Sequence, residues 1–186
     1  MIDCGEGAQI RMRQMNVKTN RLGHIFISHL HGDHVFGLIG LISSFGMLNR
    51  TADLHIHSVP ELEKLMQPQL KFFCEGLSFK VIFHPIHPKE QELIYEDRSV
   101  QVFSIPLKHR IPSCGFLFEE KPRDRHIVRA MIDFYKIPNW RIHKIKQGDD
   151  FVTEEGEIIP NEKLTTSAEK PIRFAYCSDT AYYEKI

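Results

Sequence analysis

The sequence lacks several features that would place it in a specialised class of protein. Its apolar stretches are interrupted by glycine, serine or histidine within a few residues, so none is long enough to cross a membrane. Its 24 basic and 24 acidic residues cancel, so net charge by itself indicates no partner. The four cysteines are scattered without CxxC spacing, which suits reduced thiols better than a disulfide framework or a zinc ribbon. Reduced thiols are typical of the cytoplasm, so we expect a cytoplasmic protein without membrane association.

The remaining composition is that of an ordinary globular protein, with 42% apolar and 26% charged residues. A chain of 186 residues is long enough for one domain and short for two. Short β-branched runs predict strands at 24–28, 53–58, 79–84, 99–106, 115–120 and 173–178. Helical spacing predicts a helix at 35–48 with Asp33 as its N-cap, and another beginning at Pro60. This alternation of strands and helices indicates an α/β architecture.

Both ends of the sequence look as though a domain has been interrupted. Met1 and Ile2 resemble the last residues of a strand that started earlier, and residues 173–186 form a strand and a polar loop and then stop. We therefore expect the chain to be a fragment, or to begin at a start codon placed too late.

The stretch FISHLHGDHVFG, residues 26–37, places three imidazoles and a carboxylate between two apolar segments. Ligands that follow a buried strand lie at its carboxyl end, where α/β sheets bind their ligands. Alternate side chains of one loop can point to different sides, so His29 and His31 can hold one metal while Asp33 and His34 hold a second. Imidazole and carboxylate donors without a thiolate suit zinc. The alternative is a polar loop of hydrogen-bonded histidines, but four donors in this spacing favour a metal site.

The segment 121–146 is basic in a chain that is neutral overall. It holds eight lysines and arginines and two aspartates, with Phe134, Tyr135 and Trp140 between them. The pattern predicts one short amphipathic helix at 126–135, stopped by Pro138. Basic residues interleaved with aromatic residues are typical of RNA backbone contact, although a charged run can also be a solvated surface. We interpret 121–161 as an insertion that projects from the domain.

Four motifs in order resemble the ribonuclease Z (tRNase Z) family. They are DCGEGAQIRM near the start, SHLHGDH with DHVFGLIGLISS after it, PLKHRIPSCGF at 106–116 and YCSDT at 176–180. SHLHGDH alone is the signature of the metallo-β-lactamase superfamily, so the resemblance implies an αββα sandwich. It also implies that 121–161 is an exosite arm that binds tRNA, for which we expect contacts from Arg125, Arg129, Lys144 and Lys146.

The resemblance implies two zinc ions in a complete chain, held by two groups of ligands that share one carboxylate. The first zinc takes His29, His31 and His109, the second takes Asp33 and His34, and Asp179 bridges both. Asp33 is also implied to be the general base that accepts a proton from the attacking water. Without the resemblance, His109 could equally be a surface histidine, and Asp179 could be a turn residue.

The same resemblance implies a function and an incomplete site. The expected activity is removal of the 3′ trailer from precursor tRNA by a homodimeric, zinc-dependent endoribonuclease that leaves a tRNA 3′-hydroxyl. The family has a glycine-rich strand before DCGEG, a later HEAT-like segment and a final GHxS-like segment that this sequence does not contain. The second zinc therefore lacks one ligand, and the sandwich lacks its first strand region and part of its second half. Alternatives are another metallo-β-lactamase-fold hydrolase, such as a thioesterase or lactonase, an inactive RNA-binding fragment, or a piece of a split gene.

Overall fold

The structure is a computed structural model that describes residues 1–182 and 184, and it divides into two compact units. Unit 1 comprises residues 1–96, 101–118 and the described residues from Phe174 onward, and unit 2 comprises residues 97–100 and 119–173. Its elements are α1 (Ala8–Gln14), a 3-10 helix (Thr19–Arg21), β1 (His24–Phe26), α2 (Gly32–Val35), α3 (Leu38–Met47), β2 (Leu54–Ser58), α4 (Glu61–Phe73), β3 (Val81–Pro85), β4 (Leu93–Glu96), β5 (Val100–Pro106), β6 (Cys114–Glu120), β7 (His126–Ile127), α5 (Arg129–Phe134), α6 (Asn139–Lys146), β8 (Phe151–Val152), β9 (Ile158–Ile159), α7 (Asn161–Leu164), β10 (Thr165–Thr166) and β11 (Arg173–Tyr176).

The first sheet of unit 1 is parallel, with strand order β1-β2-β3. Side chains alternate between the two faces of a strand, so Ile25 of β1 and the pair Leu54 and Ile56 of β2 share one face. On that face they pack with Leu41 and Phe45 of α3 and with α4 residues in one buried cluster. Helices therefore cover one side of the first sheet.

The second sheet of unit 1 has the strand order β11-β6-β5-β4. It packs against the other face of the first sheet, because Phe26 of β1 is buried in one cluster with Val102 of β5 and with Cys114 and Phe116 of β6. The succession of helices, sheet and sheet in the described residues corresponds to three of the four layers of the expected αββα sandwich. It places the end of β1 between the two sheets, where the histidine-rich loop begins.

The helix predicted at 35–48 is broken in two. Helix α2 ends at Val35 and α3 begins at Leu38, and Asp33 lies inside α2, whose N-cap is His31. The predicted N-cap role of Asp33 is therefore wrong. Gly37, at the break, approaches the start of the chain so closely that a Cβ there would collide with the carbonyl oxygen of Gly5. The Gly37 N–H donates to the carbonyl of Cys4 at 2.9 Å, so the two segments pack backbone to backbone at the break.

Unit 2 has its own small apolar core. Ile137, Ile145, Phe151, Ile159 and Leu164 are buried in one cluster. At its centre Asn161 is buried, and its side-chain amide donates to the carbonyl oxygens of Ile145 and Asp149, both at 2.7 Å. The single helix predicted at 126–135 is only partly correct, because residues 126–127 form β7 and the helix α5 follows it. A second helix, α6, was not predicted, since three basic residues mask its weak apolar periodicity.

Candidate metal centre

The loop after β1 is held at both ends by the backbone. Ile27 donates its N–H to the carbonyl of His57 at 2.8 Å, which continues the pairing of β1 beyond Phe26. The carbonyl of Ser28 accepts the N–H of Cys114 at 2.9 Å, which ties the loop to β6. Both bonds lie immediately before His29 in the chain. They fix the backbone there, and the His29 side chain is itself buried.

Four side chains from three distant segments converge beyond this point. His29, His31, His109 and Asp179 each present one donor atom, and the four atoms lie within 4.8 Å of one another. His31 Nδ1 lies 2.9 Å from His29 Nε2 and 3.4 Å from His109 Nε2. Two nitrogens bound to one tetrahedral zinc would lie about 3.3 Å apart, given the usual Zn–N bond length. The donor set and its spacing therefore fit a metal ion.

The loop that carries His109 and the segment that carries Asp179 are joined directly to each other. Lys108 donates its backbone N–H to Thr180 Oγ1 at 3.1 Å, and its carbonyl accepts the N–H of Ala181 at 2.8 Å. These bonds flank both donors, so two residues that are 70 positions apart reach the same site. In the sequence analysis, only the family resemblance assigned His109 and Asp179 to the metal site.

Burial favours the neutral, metal-binding form of the central ligand candidate. Desolvation lowers the pKa of His29, and the neighbouring His34 and His31 lower it further, while Asp179 and Asp3 act in the opposite direction. A histidine must be neutral to offer a lone pair to a metal. The lowered pKa of His29 therefore favours the protonation state that a metal ligand needs.

Asp33 and His34 form a second group beside the first. The His34 ring lies 4.0 Å from that of His29, centroid to centroid, and His34 Nε2 lies 3.4 Å from Asp33 Oδ2. Asp33 is solvent-accessible, with 78% of its side chain exposed. The structure thus brings all six predicted metal ligands to one region in two adjacent groups, although Asp33 and His34 are not part of the four-donor cluster.

Asp3 is a site residue that the sequence analysis missed. Its partly buried carboxylate accepts the Ser28 N–H at 2.7 Å and the Ser28 hydroxyl at 2.9 Å, and it lies 2.8 Å from His34 Nδ1. The Tyr176 hydroxyl donates to it at 3.1 Å. A carboxylate on Nδ1 fixes the tautomer that leaves Nε2 free for a metal. Asp3 follows Ile2, which forms an isolated parallel bridge to Phe26 of β1, and this long-range pairing is not visible in the sequence.

The four residues predicted to bind RNA lie in unit 2, and the structure gives them different environments. Arg129 and Lys144 are exposed, whereas Arg125 and Lys146 are half-buried. Arg125 already donates from Nε to Thr165 Oγ1 at 2.7 Å, which anchors the base of this unit. The aromatic side chains of Phe134 and Trp140 are exposed nearby in the sequence.

The fold and the donor cluster together define a protein of the metallo-β-lactamase type. Residues 1–130 match the family described as the anti-Pycsar protein Apyc1, and the chain belongs to that family. The whole chain is also 61% identical to the ribonuclease Z of Bacteroides thetaiotaomicron, and 58% identical to that of Phocaeicola vulgatus. The resemblance to ribonuclease Z found in the sequence is confirmed.

These relatives are longer than the chain. The alignments cover all of its residues, but only 59% of the Bacteroides thetaiotaomicron protein and 60% of the Phocaeicola vulgatus protein. Among solved structures, the short form of human tRNase Z matches with a TM-score of 0.60 and 26% identity, over 78% of this chain and 70% of that one. The predicted α/β fold is therefore confirmed. None of the helices in the described part of the chain is long and apolar enough to cross a membrane.

Proposed function

We propose that this protein is a zinc-dependent endoribonuclease that removes the 3′ trailer from precursor tRNA. The observation that carries the proposal is the cluster of His29, His31, His109 and Asp179 in a chain that matches ribonuclease Z from end to end. The family match stops at residue 130, whereas the identity to ribonuclease Z continues through the rest of the chain. That difference favours an RNA substrate over the other hydrolase activities of the fold.

The proposed zinc ligands fall into the same two groups as the donor side chains in the structure. His29, His31 and His109 would hold one zinc, Asp33 and His34 would hold the other, and Asp179 would bridge them, with one ligand of the second zinc supplied from outside these residues. Two such ions supply a clamp for the scissile phosphate and a lowered pKa for the attacking water. Imidazole and carboxylate are donors that zinc accepts, and the nitrogen spacings of 2.9 and 3.4 Å support this assignment.

The chain's own residues would position and deprotonate the water. Asp33 is exposed and next to His34, so its carboxylate is placed to accept a proton from solvent-derived water. Asp3 holds His34 in one orientation by its bond to Nδ1. Attack on phosphorus breaks the bond to the tRNA 3′-oxygen, so the phosphate stays on the trailer and the tRNA keeps a 3′-hydroxyl.

We further propose that 1–186 is a single, partial metallo-β-lactamase-like domain and that 121–161 is a tRNA-binding arm within it. The arm would supply affinity, because none of its described residues belongs to the donor cluster. Lys144 and Arg129 are its exposed basic candidates, and Trp140 stacks under Arg141 at 5.0 Å, leaving an exposed aromatic surface for a base. An inactive RNA-binding fragment is the alternative, and a cleavage assay decides between them.

The combined test uses a precursor tRNA with a labelled 3′ trailer. The protein is expected to release the trailer in one cut, and chelation of its metal is expected to stop the reaction. The double variant Lys144→Ala/Lys146→Ala should raise KM by about 10-fold and reduce the salt slope of binding by about 1 for each phosphate that the variant no longer neutralises. Hydrolysis of bis(p-nitrophenyl) phosphate, which has no tRNA body for the arm to bind, should not change.

The control for this experiment is Lys64→Ala/Lys71→Ala, which removes two exposed lysines from α4 in unit 1. It should leave both KM and the salt slope as they are. An unchanged KM in the arm variant would show that the basic segment is only a solvated surface. Equal losses on tRNA and on the small substrate would show that it supports the site structurally. An uncut precursor would contradict the endoribonuclease proposal itself.

We also propose a cytoplasmic homodimer. All four cysteines are free thiols, which suits a reducing compartment. A groove of about 620 Å³ between α1 and α3 is lined by Ile10, Val17 and Leu48, each of them largely exposed. Apolar surface of this kind is typical of an interface. Leu48→Glu is therefore expected to shift the mass measured by light scattering from dimer to monomer, whereas Leu65→Glu on α4 is not.

A further inference from the structure

Arg110 lies at the edge of the donor cluster and has no role in the ligand assignment. It follows His109 in the loop between β5 and β6. Its Nη2 lies 3.2 Å and its Nε 3.4 Å from His31 Nε2. His31 turns its other nitrogen, Nδ1, towards His29 and His109. A single imidazole ring therefore separates the guanidinium from the centre of the candidate metal site.

Arg110 carries a positive charge and has no acidic partner among the residues that the structure describes. The side chain is exposed, and none of the ion pairs between described residues includes it. Its only side-chain partner among those residues is His31, which has no negative charge to offer. An arginine beside a site that also binds cations is electrostatically unfavourable unless an anion joins them. An anionic ligand bound between Arg110 and the metal site would remove this unfavourable interaction.

The bond between Arg110 and His31 is also incompatible with a metal on His31 Nδ1. An imidazole that binds a metal through one nitrogen carries its proton on the other, and it normally donates that proton to an oxygen acceptor. A protonated Nε2 has no lone pair for the guanidinium. Metal binding would thus release the N–H groups of Arg110 for another acceptor at the same place.

The space next to Arg110 is open to a ligand. Arg110 lines two neighbouring cavities of about 530 and 480 Å³, the first together with His109 and Lys89 and the second together with His31. Glu61 lines both cavities, but it forms no ion pair with Arg110. A phosphate group seated at the donor cluster would therefore have the guanidinium fork within reach from one side.

We propose that Arg110 is a substrate-binding residue that donates to a non-bridging oxygen of the phosphate seated beside the metal centre. This inference rests on the proposed function, because it assumes a phosphodiester substrate. The planar fork of arginine can donate two parallel hydrogen bonds to a phosphate, which a lysine cannot. Arg110 would thereby align the scissile phosphate, a role separate from the affinity that the basic segment 121–161 would supply.

The test measures inorganic phosphate binding to the 186-residue chain by ³¹P NMR titration, with and without added zinc. Arg110→Ala is expected to weaken phosphate binding by about 10-fold in the zinc-loaded chain, which is the value of one charge-assisted hydrogen bond. Arg110→Lys keeps the charge but not the fork, so a loss of about 3-fold is expected. In the metal-free chain, where Arg110 contacts His31 Nε2, phosphate is expected to bind more weakly and Arg110→Ala to cause a smaller loss.

Arg21→Ala is the matched control, because Arg21 is an exposed arginine of the same unit that lies outside both cavities. Its phosphate affinity should equal that of the unchanged chain. Equal weakening in this variant, or unchanged affinity in Arg110→Ala, would overturn the proposal. The zinc affinity, measured by chelator competition, should stay the same or rise in Arg110→Ala. A fall would instead make Arg110 a residue that positions His31, and the proposal would be wrong.

The phosphate titration contains no tRNA, so its result does not depend on the proposed endoribonuclease activity. Failure of that activity would leave precursor tRNA uncut while Arg110→Ala still weakens phosphate binding. Failure of the Arg110 proposal would leave trailer removal intact while phosphate binds the alanine variant as well as the unchanged chain.

Discussion

Asp33→Ala is expected to reduce trailer removal by at least about 10²–10⁴-fold, the range for loss of a general base. Asp33 is both the proposed base and a proposed ligand of the second zinc, so the loss of metal adds to the loss of proton transfer. The binding of precursor tRNA should remain within about 2-fold, because phosphate contacts by basic side chains supply most of the affinity for nucleic acids. Single-turnover cleavage and filter binding, measured on the same protein, separate the two effects.

Two further measurements divide the roles of Asp33. Asp33→Asn keeps the shape and one oxygen donor but cannot accept the proton, so zinc content should fall less than activity. Glu63→Ala removes an exposed carboxylate from α4 and serves as the control. Cleavage by Asp33→Ala at a rate close to that of the unchanged protein would show that another group deprotonates the water.

His57 is expected to make the chain unstable in mild acid. Its ring is only 2% exposed, and burial, together with His84, His24, His55 and the amino group of Met1, lowers its pKa to about 3. The folded state therefore excludes a proton that the unfolded chain binds below the ordinary histidine pKa of about 6.5. The free energy of unfolding should fall as the pH drops from about 6.5 towards 3, by about 1.4 kcal/mol per pH unit for this group.

The physical cause is a stack of imidazole rings on the face of the first sheet that packs against the second. The His57 ring lies 4.5 Å from Phe26 and 4.6 Å from His84, and its Nε2 lies 3.2 Å from His24 Nδ1. His55 Nδ1 lies 2.8 Å from His84 Nε2 in a second pair. The pKa of His84 is lowered as well, first by burial and then by His55. Added protons would place like charges between these stacked rings.

His57→Phe tests this expectation, because a phenyl ring can stack on Phe26 without titrating. Urea unfolding in the presence of a chelator, at four values from pH 7.5 to 4.5, should show a shallower loss of stability for the variant. The difference from the unchanged chain should reach about 3 kcal/mol over the two pH units below 6.5. His87→Phe, at an exposed position of the same unit, should show the unchanged slope. Identical slopes for His57→Phe and the unchanged chain would rule out His57 as the cause.

The strands of this protein could be predicted from local pattern, because side-chain alternation and β-branching act over neighbouring residues. Each of the six predicted strands overlaps an observed one, whereas β4 and the four two-residue strands of unit 2, β7, β8, β9 and β10, were missed. The helix predicted at 35–48 is observed only from Leu38 to Met47, because Gly37 packs against Gly5 and donates its N–H to Cys4, a long-range contact that periodicity does not encode. The second helix of unit 2, α6, was missed because Ile145 is its one buried residue. Its pattern of apolar side chains is therefore too weak to predict a helix.

The sequence by itself determined the local part of the site, since His29, His31, Asp33 and His34 lie within six positions of a loop after a buried strand. Only the tertiary structure decided that His109 and Asp179 reach the same centre, because hydrogen bonds between their flanking residues close a long stretch of chain. The same holds for Asp3, which acts through contacts 25 or more residues away. It also holds for the stacked histidines, four residues of three strands that share a face only when the strands pair in register. Spacing along the chain is enough to group the ligands of one loop. Strand pairing and burial between the sheets are needed to bring the remaining site residues and the stacked histidines together.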